Sequence, residues 1–280
     1  MEELETFSRV MFVDECLLDK RRTEAFQKAI SSVVRRGDLV LDAGTGSGIM
    51  ALFAARAGAR KVFAVEIDEE SAMLANESFA ANPEGKKIRL VHADIRSFES
   101  SRPFDVVIME LLDTGLIAEQ QAQAINALRR RGLIDSNTRI VPKRVECGFE
   151  LLNYDFRFYG FDMPMVLQAR NNGANRNLRR RMSGLVNYRI VDFSKVVRTA
   201  VKVSPTVEAL HTGVVNALRL RTKAVLVERQ ELWETSDMNM PVIVPVRSLG
   251  VDRGETLRVD IRYLMGHGYD TLRVKLTRVR

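Results

Sequence analysis

The chain has 280 residues, of which 46% are hydrophobic and 28% charged, and its formal net charge is +7. This balance is typical of a folded soluble protein, and the longest apolar runs fall far short of the roughly 20 residues that cross a bilayer. The first twelve residues, MEELETFSRVMF, are acidic, unlike the basic start of a secretory signal peptide. We therefore expect a cytoplasmic protein without a membrane-spanning helix.

The chain contains two cysteines, Cys16 and Cys147, both in apolar surroundings. Neither lies at a spacing that binds a metal ion, so no metal site is expected. We predict two buried free thiols in a reducing compartment.

Helical and strand patterns alternate along the first half of the chain. Residues 14–35 have apolar side chains at helical spacing and contain neither glycine nor proline, which predicts one helix. The strands predicted after it are residues 39–42, 62–66, 88–91 and 105–109, and the helices are 48–57, 69–81 and 116–130. This alternation is typical of a parallel, doubly wound α/β sheet of the Rossmann-like type.

The pattern changes to a two-residue period from about Ile140 onward. The strand-like segments are residues 145–156, 217–233, 241–249, 255–265 and 270–279. They predict a β-rich, barrel-like second domain. Val141-Pro142 marks the boundary, because proline ends regular pairing and disfavours helix before it. We therefore divide the chain into an α/β domain, 1–142, and a β-rich domain, 143–280.

The loop after the first predicted strand is the most informative part of the sequence. An apolar run ends in Asp42, and Gly44, Gly46 and Gly48 follow at alternate positions. Glycines accept positive φ and let a ligand approach the backbone closely. The second apolar run ends in Glu66, an acid placed to accept hydrogen bonds from both hydroxyls of a ribose. The pattern predicts a site for an adenosine-containing cofactor.

The spacing of these glycines distinguishes between adenosine cofactors. A dinucleotide fold has G-x-G-x-x-G, whereas Ile49 takes the place of the third glycine here. With Asp42 before it and Glu66 after it, the loop resembles motif I of class I S-adenosylmethionine (SAM) methyltransferases. The resemblance implies SAM as cofactor, with Asp42 near its methionine end, Glu66 on its ribose and Asp94 facing the adenine amino group. It further implies cofactor contacts from the loop and strand ends at Thr45, Ile67 and Ala93. The alternative for Asp94 is a helix N-cap.

The segment before this loop resembles a narrower family. Residues 17–26, LLDKRRTEAF, are similar to the M-L-x-D-x-x-R-T-x-x-Y helix of protein arginine methyltransferases, with Phe26 in place of Tyr. In that family the Arg pairs with the SAM carboxylate, which implies this role for Arg22. A planar guanidinium suits bidentate recognition of a carboxylate. The alternative for Arg22 is an ordinary surface charge on a helix.

The fourth predicted strand runs into MELLDTGLIAEQQ, residues 109–121. Glu110 and Glu119 are nine residues apart, as in the double-E loop of the arginine methyltransferases, S-E-x-M-G-x-x-L-x-x-E. A guanidinium remains protonated near neutral pH, and two carboxylates can hold the cation while orienting one nitrogen toward the methyl group. Open α/β sheets bind ligands at this edge. We therefore predict Glu110 and Glu119 as catalytic residues, with Glu110 also at the cofactor; the alternative for Glu119 is a helix N-terminal charge.

Three departures from the family pattern leave the methylated group open. Met109 stands where the family has Ser, and Asp113 where it has Gly. The family's Thr-His-Trp loop is not recovered, because the best-placed segment, residues 235–242, contains no histidine or tryptophan. The three histidines lie elsewhere, at His92, His211 and His267. The resemblance is specific over residues 8–145 and continues beyond them as general architecture.

Charge suggests a second class of substrate. Residues 1–145 carry 21 basic and 22 acidic side chains, whereas 146–280 carry 22 and 14. No acid lies between Asp162 and Asp192, a stretch that holds Arg170, Arg176, Arg179, Arg180, Arg181 and Arg189. Clustered arginines indicate an RNA methyltransferase as an alternative to the favoured protein methyltransferase. The other interpretations of this stretch are a solvated arm and a homodimer contact through residues 163–185. A non-catalytic SAM-binding module is a third functional class.

Overall fold

The computed structural model of the chain describes residues 10–168 and 176–279. The helices are α1 Val10–Leu18, α2 Lys20–Val33, α3 Ile49–Ala57, α4 Glu69–Ala80 and α5 Gln121–Arg130. The strands of the first half are β1 Leu39–Ala43, β2 Lys61–Glu66, β3 Ile88–His92, β4 Val106–Met109 and β5 Arg139–Val141. These strands form a parallel sheet in the order β3-β2-β1-β4-β5.

The sheet order brings the predicted site residues to one edge. β1 lies between β2 and β4, with Ala43 opposite both Val65 and Met109. All five residues of β1 are buried, as expected for a parallel strand covered on both faces. The loops that follow β1, β2 and β4 therefore open side by side at the carboxyl edge, where such sheets bind ligands. The predicted doubly wound α/β architecture is confirmed.

Three predicted elements differ from the observed ones: two are divided and one begins later, in each case where the backbone changes direction. The single helix predicted over residues 14–35 is two helices, because Asp19 ends α1 and caps α2 by accepting the N–H of Arg22 at 3.0 Å. The helix predicted from residue 116 begins at Gln121, after Leu116 with φ of 55°. The strand predicted over 217–233 is a hairpin that turns at Arg229, whose φ is 64°.

The second half is β-rich, as predicted, and its strands pair in antiparallel fashion. They are β6 Arg144–Tyr154, β7 Arg157–Phe158, β8 Phe161–Asp162, β9 Leu167–Gln168, β10 Leu178–Arg181, β11 Val186–Asp192, β12 Ala200–Val203, β13 Thr206–Glu208, β14 Gly213–Val227, β15 Gln230–Leu232, β16 Val242–Val251, β17 Thr256–Leu264 and β18 Arg273–Arg278. A seven-stranded sheet is centred on β6, β14 and β16, and a four-stranded sheet on β17.

The two halves share one hydrophobic core. A single cluster of buried side chains contains Ile108 and Leu128 of the first half together with Leu218 and Ile261 of the second. The parallel sheet ends at Val141, and the division at residues 142 and 143 stays a prediction. Within the described ranges, no helix is both long enough and apolar enough to span a membrane.

Candidate active site

The glycine loop adopts a conformation that needs its glycines. Gly44, Gly46 and Gly48 have φ of 75°, 51° and 81°, in the left-handed region that glycine occupies without strain. A Cβ on Gly48 would lie 2.5 Å from the ring of Phe79, and one on Gly44 would lie 2.8 Å from a methyl carbon of Leu111. The spacing that singled out this loop therefore has both a conformational and a steric cause.

Asp42 is buried at the end of β1 beneath the loop. Its Oδ2 accepts the hydroxyl of Thr45 at 2.6 Å, and only 2% of the residue is exposed. Burial raises the pKa of the Asp42 carboxyl to about 7, against the lowering effect of the Thr45 hydroxyl. Thr45 itself is held by its N–H, which donates to Val65 O at 3.0 Å.

Glu66 ties the loop to the end of β2. Its Oε2 accepts the N–H of Gly46 at 2.8 Å, and its Oε1 accepts those of Ile67 at 2.8 Å and Asp68 at 3.1 Å. A carboxylate has about four lone-pair positions, so acceptor capacity remains for hydroxyl groups of a ligand. The residue is 2% exposed, and its carboxylate holds the loop in place.

A cavity of about 420 Å³ opens beside these residues. Glu66, Ile67, Ala93 and Asp94 line one part of it, and Glu119 lines another. Its lining combines apolar side chains with several polar and charged ones, which can orient a small-molecule ligand. The acid and the glycine loop lie where an adenosine would need them, so the residues present fit SAM.

Asp94 lies in this cavity, and its carboxylate is bound by Arg96. Asp94 Oδ2 accepts Arg96 Nη2 at 2.6 Å, and Oδ1 accepts the Arg96 N–H at 2.8 Å. Arg96 Nη1 then donates to Gln120 Oε1 at 2.7 Å, next to Glu119. The sequence analysis did not single out Arg96, although a basic side chain two residues after a strand-terminal acid is a readable signal. Arg96 and Gln120 are 24 positions apart in the sequence, so no local pattern reveals their contact.

Arg22 and Glu110 form a buried ion pair. Arg22 Nε donates to Glu110 Oε2 at 2.7 Å and Nη2 donates to the same oxygen, with each side chain 8% exposed. Arg22 is further fixed by donation from Nη1 to Cys16 O at 3.0 Å. Both residues line a smaller cavity of about 90 Å³ that includes Gly44, Thr45 and Gly46. The predicted SAM-carboxylate ligand and the predicted substrate acid are thus direct partners.

Glu119 faces both cavities. It lines the space of about 420 Å³ and the space of about 90 Å³, as do Gly44, Glu66 and Leu111. Burial, reinforced by the nearby carboxylates of Glu110 and Asp113, raises the pKa of Glu119 well above that of an ordinary glutamate. The folding of the nine-residue loop therefore brings the two predicted acids to one cavity.

Asp113 shapes this loop, a role that the sequence analysis missed. Its Oδ2 accepts the N–H groups of Ile117 at 3.1 Å and Ala118 at 2.9 Å, and its Oδ1 accepts that of Glu119 at 3.2 Å. Burial raises the pKa of the Asp113 carboxyl to about 7 even though these backbone donors lower it. Where the family has glycine, this chain thus has an aspartate, Asp113, whose carboxylate caps the loop that carries Glu119.

Residues of the β-rich half also hydrogen-bond to the double-E loop, residues 110–119. Thr222 of β14 accepts the N–H of Gly115 at 2.8 Å, and Tyr263 of β17 donates its hydroxyl to Gly115 O at 2.8 Å. The N–H groups of Gly266 and Gly268 donate to Leu116 O and Ile117 O, each at 2.9 Å. The β-rich half thereby fixes the position of the double-E loop.

The segment that replaces the Thr-His-Trp loop lies at the site without a histidine. Asp237 lines the cavity of about 90 Å³ and a neighbouring one of about 100 Å³, which Glu119 also lines. Its N–H donates to Asp19 Oδ2 at 3.2 Å. His267 lines the larger cavity, and His92 contacts Ile67 O at 2.9 Å through Nε2. Asp237 thus lies near Glu110 and Glu119, and the sequence analysis assigned it no role.

The arginine-rich stretch is partly neutralised within the described ranges. Arg179 Nη2 lies 2.8 Å from Asp155 Oδ2, and Arg181 Nη1 lies 3.5 Å from Glu150 Oε1. Arg176 and Arg180 are exposed, whereas Arg170 lies outside the described residues. Among the described residues, no group of three or more His, Cys, Asp or Glu side chains is arranged to hold a metal ion.

Comparisons with known proteins place this chain among methyltransferases. The model of the ribosomal protein L11 methyltransferase (PrmA) family matches residues 21–152. An uncharacterized protein of Methanocaldococcus jannaschii, MJ1452, is 30% identical over 93% of this chain and 94% of its own length. The protein arginine N-methyltransferase PRMT10 of Oryza sativa subsp. japonica is 34% identical over 46% of this chain and 34% of its own length. This sequence match therefore covers about a third of the rice enzyme.

Solved structures share the whole architecture. The Trypanosoma brucei PRMT1 enzyme-prozyme heterotetrameric complex with AdoHcy aligns with a TM-score of 0.77, covering 98% of this chain and 100% of that chain at 17% identity. Arabidopsis thaliana protein arginine methyltransferase 10 aligns with a TM-score of 0.75, covering 98% and 99% at 16% identity. The fold of a parallel sheet followed by a β-rich half is common to all three. Because it matches the Methanocaldococcus protein over nearly its whole length, the chain belongs to that protein's family. It is a class I SAM-dependent methyltransferase that resembles the protein arginine methyltransferases.

Proposed function

We propose that this enzyme methylates a nitrogen of a protein substrate and that the nitrogen belongs to an arginine side chain. The observation that carries the proposal is that Glu110 and Glu119 line one cavity with the glycine loop. A pair of carboxylates suits a cation with several N–H groups, and a guanidinium has five. The match to the ribosomal protein L11 methyltransferase model and to arginine methyltransferases supports a protein as substrate.

The cofactor assignments in this proposal follow the positions of the side chains. Arg22 would meet the carboxylate of SAM, Asp42 its methionine end and Glu66 its ribose. Gly44, Gly46 and Gly48 leave room beside Thr45, and Ile67, Ala93 and Asp94 line the cavity in which the adenine would lie. SAM supplies an electrophilic methyl group when bound. The proposal gives Asp94 a contact in addition to its ion pair with Arg96.

The substrate acids have different tasks in this scheme. Glu110 is already paired with Arg22, which fixes its carboxylate and neutralises its charge. Glu119 is left to hold the substrate cation. A guanidinium nitrogen that gains a methyl group gives up one proton, and the raised pKa of Glu119 suits its carboxylate to accept it. Orientation and electrostatics would supply most of the rate, without a covalent intermediate on the protein.

The test is methyl transfer from radiolabelled SAM into a cell extract, followed by protease or ribonuclease treatment. The proposal expects label that is lost with protease and kept with ribonuclease. Amino-acid analysis of the labelled protein should then give methylarginine. Label that ribonuclease removes would overturn it in favour of the RNA alternative, which the exposed Arg176 and Arg180 support.

The Glu110→Gln variant connects this activity with the site. We expect a loss of turnover of about a hundredfold or more, with SAM affinity nearly unchanged. Because the substitution leaves Arg22 without its full partner, Glu119→Gln serves as a second variant whose carboxylate does not form this ion pair. Glu99→Gln, on an exposed surface, is the control and should retain full activity. Full activity in both site variants would contradict the proposal.

We also propose that the enzyme forms a homodimer through the region that includes residues 163–185, of which 169–175 lie outside the described residues. The hairpin of β7 and β8 just before it exposes Tyr159 at 99% and Phe161 at 71%, followed by exposed Met163 and Met165. An exposed apolar group of this kind favours association with a second copy. Sedimentation should give a dimer for the wild type and a monomer for Phe161→Ser. A monomeric wild type at micromolar concentration would contradict it.

The cytoplasmic location is likewise proposed. It is supported by the two free cysteines, of which Cys147 is buried and Cys16 partly exposed. Burial raises the pKa of the Cys16 thiol to about 12, despite the lowering effect of the nearby Arg22 guanidinium, and makes it a poor nucleophile. Fractionation of cells that express the tagged chain tests this location.

A further inference from the structure

Asn239 is a buried polar side chain whose hydrogen-bonding groups are unused. The residue is 2% exposed, and neither Nδ2 nor Oδ1 has a hydrogen-bond partner within residues 10–168 and 176–279. Buried amides are almost always hydrogen-bonded, because an unpaired donor or acceptor away from water is costly. An amide with both groups unpaired beside a cavity has its donor and its acceptor available to a ligand that enters the cavity.

The backbone around Asn239 is fixed, so the amide is held where it is. Its φ is 52°, a left-handed conformation that asparagine tolerates better than most residues. The next residue, Met240, accepts the hydroxyl of Thr114 at 2.7 Å through its main-chain oxygen. Two positions earlier, the N–H of Asp237 donates to Asp19 Oδ2 at 3.2 Å. Both anchors come from the cofactor-binding half of the molecule, so the segment cannot turn toward solvent without breaking them.

The cavity beside Asn239 is strongly acidic. This space of about 100 Å³ is lined by four carboxylic residues, Glu15, Asp113, Glu119 and Asp237. Its described lining includes no lysine or arginine. Glu119 connects it to the cavity that holds Glu110. Such a lining attracts a cation that donates hydrogen bonds, and it repels the phosphates of a nucleic acid.

We infer that Asn239 is a substrate-binding residue that recognises the guanidinium of the arginine to be methylated. Its Oδ1 accepts one guanidinium N–H on the side away from Glu110, and its Nδ2 donates to an acceptor of the substrate, such as a main-chain carbonyl. The inference rests on the proposed function and extends it. It gives a role to Asn239 in the segment where the protein arginine methyltransferases have the Thr-His-Trp loop. Asp237 lies in the same segment.

A guanidinium fits these groups better than an ammonium does. Glu119, Asp237 and Asn239 offer acceptors from the double-E loop and from the segment that follows β15. A guanidinium presents five N–H donors in a plane and can meet separate acceptors together, whereas an ammonium has three around one nitrogen. The chain should therefore prefer an arginine peptide to a matched lysine peptide.

The test compares Asn239→Gly and Asn239→Asp with the wild type on a synthetic peptide that contains one arginine. Glycine keeps the left-handed backbone and removes the amide, whereas aspartate keeps an acceptor at the same position. We expect Asn239→Gly to raise KM for the peptide about tenfold or more, the effect of losing a hydrogen bond to a charged group. Its kcat and its affinity for SAM should stay within about threefold of wild type. Asn239→Asp should keep KM closer to wild type.

The matched control is Arg229→Gly, which introduces glycine at another position of positive φ, in an exposed turn away from the cavities. Melting temperatures of all variants separate folding from binding, and Asn239→Ser, which removes the amide but keeps a small polar side chain, decides the question if the glycine variant does not fold: its KM should rise as well, and an unchanged KM in folded Asn239→Ser overturns the inference. An unchanged KM in a folded Asn239→Gly overturns the inference while leaving the proposed function intact. A wild type that binds SAM but methylates no protein or peptide overturns the proposed function itself. A variant that instead loses methylation of RNA overturns the guanidinium assignment.

Discussion

Arg22 and Glu110 are 88 positions apart in the chain and share a buried, doubly hydrogen-bonded ion pair. A buried pair adds little net stability, but removing one partner is costly because the other charge stays behind. The pair therefore works as a fixed unit beside the glycine loop. Under the proposed function, one of the two substrate acids is neutralised before any substrate arrives, and Glu119 is the acid that responds to the substrate.

At the residue scale, Glu66→Ala should weaken SAM binding by about 1–3 kcal/mol, the effect of losing hydrogen bonds to a charged acceptor. The same substitution frees the N–H of Gly46, which Glu66 holds at 2.8 Å, so the loop also loosens. Calorimetric titration with SAM measures the change. Glu70→Ala, an exposed acid on α4, is the control. Equal SAM affinity in wild type and Glu66→Ala would contradict the ribose assignment.

Glu119 should impose a pH dependence on catalysis. Its pKa is raised by burial and by Glu110 and Asp113, so the carboxyl keeps its proton to higher pH than an ordinary glutamate. Only the carboxylate can hold a cation, and kcat/KM for a protein substrate should therefore rise with pH as Glu119 loses its proton. Glu119→Gln should lower the activity and flatten this rise. SAM affinity, measured at each pH, controls for effects on the cofactor, and an identical profile in the variant would argue against the assignment.

At the scale of elements, the double-E loop owes its shape to Asp113. Three backbone N–H groups of residues 117–119 donate to this one carboxylate. Gly115 and Leu116, in the middle of the loop, have positive φ, and α5 begins only at Gln121. These bonds place the main chain of Glu119 beside the cavity.

Asp113→Ala should reduce turnover far more than it reduces SAM affinity, because it releases the loop that carries Glu119. Loss of the three acceptor bonds should also lower the free energy of unfolding by about 1–3 kcal/mol. Steady-state kinetics and chemical denaturation measure the two effects. The control is Asp135→Ala, since Asp135 also caps a loop through the N–H groups of Asn137 and Thr138 but lies outside the lining of the cavities. If both variants lost stability and neither lost turnover, Asp113 would have no role in placing Glu119.

The elements also show what a sequence can reveal. β2 was predicted within one residue because its apolar run and the acid that ends it are local signals. The break at Asp19 was missed, since apolar spacing continues across it and the cap is visible only as a hydrogen bond to Arg22. A motif predicts Glu110 and Glu119 as site residues, and both line one cavity. No motif points to Asp237, because its position depends on a contact with Asp19, 218 positions away.

At the scale of the whole molecule, the α/β half and the β-rich half have one continuous core. Leu116 and Ile117 of the double-E loop belong to it together with Tyr263. The hydroxyl of that tyrosine reaches Gly115, and the backbone of Gly266 reaches Leu116. Halves joined in this way should lose their structure together.

We therefore expect a single cooperative thermal transition for the full chain, with a calorimetric enthalpy equal to the van't Hoff enthalpy. Residues 1–142 expressed alone should melt at a markedly lower temperature, because their contacts with β14 and β17 are missing. Tyr263→Phe, which removes only the hydroxyl, should lower the free energy of unfolding by about 1 kcal/mol. Two well-separated transitions in the wild type would show that the halves fold independently.

The contact between Gly115 and Tyr263 spans 148 positions of the chain. Proteins begin to fold from the N-terminus while they are being synthesised, so the parallel sheet and its glycine loop can form early. The double-E loop cannot take its final position until β17 has emerged from the ribosome. During synthesis, the capacity to bind SAM would thus precede the capacity to use it, and a nascent chain would acquire its methylating activity only after β17 has emerged.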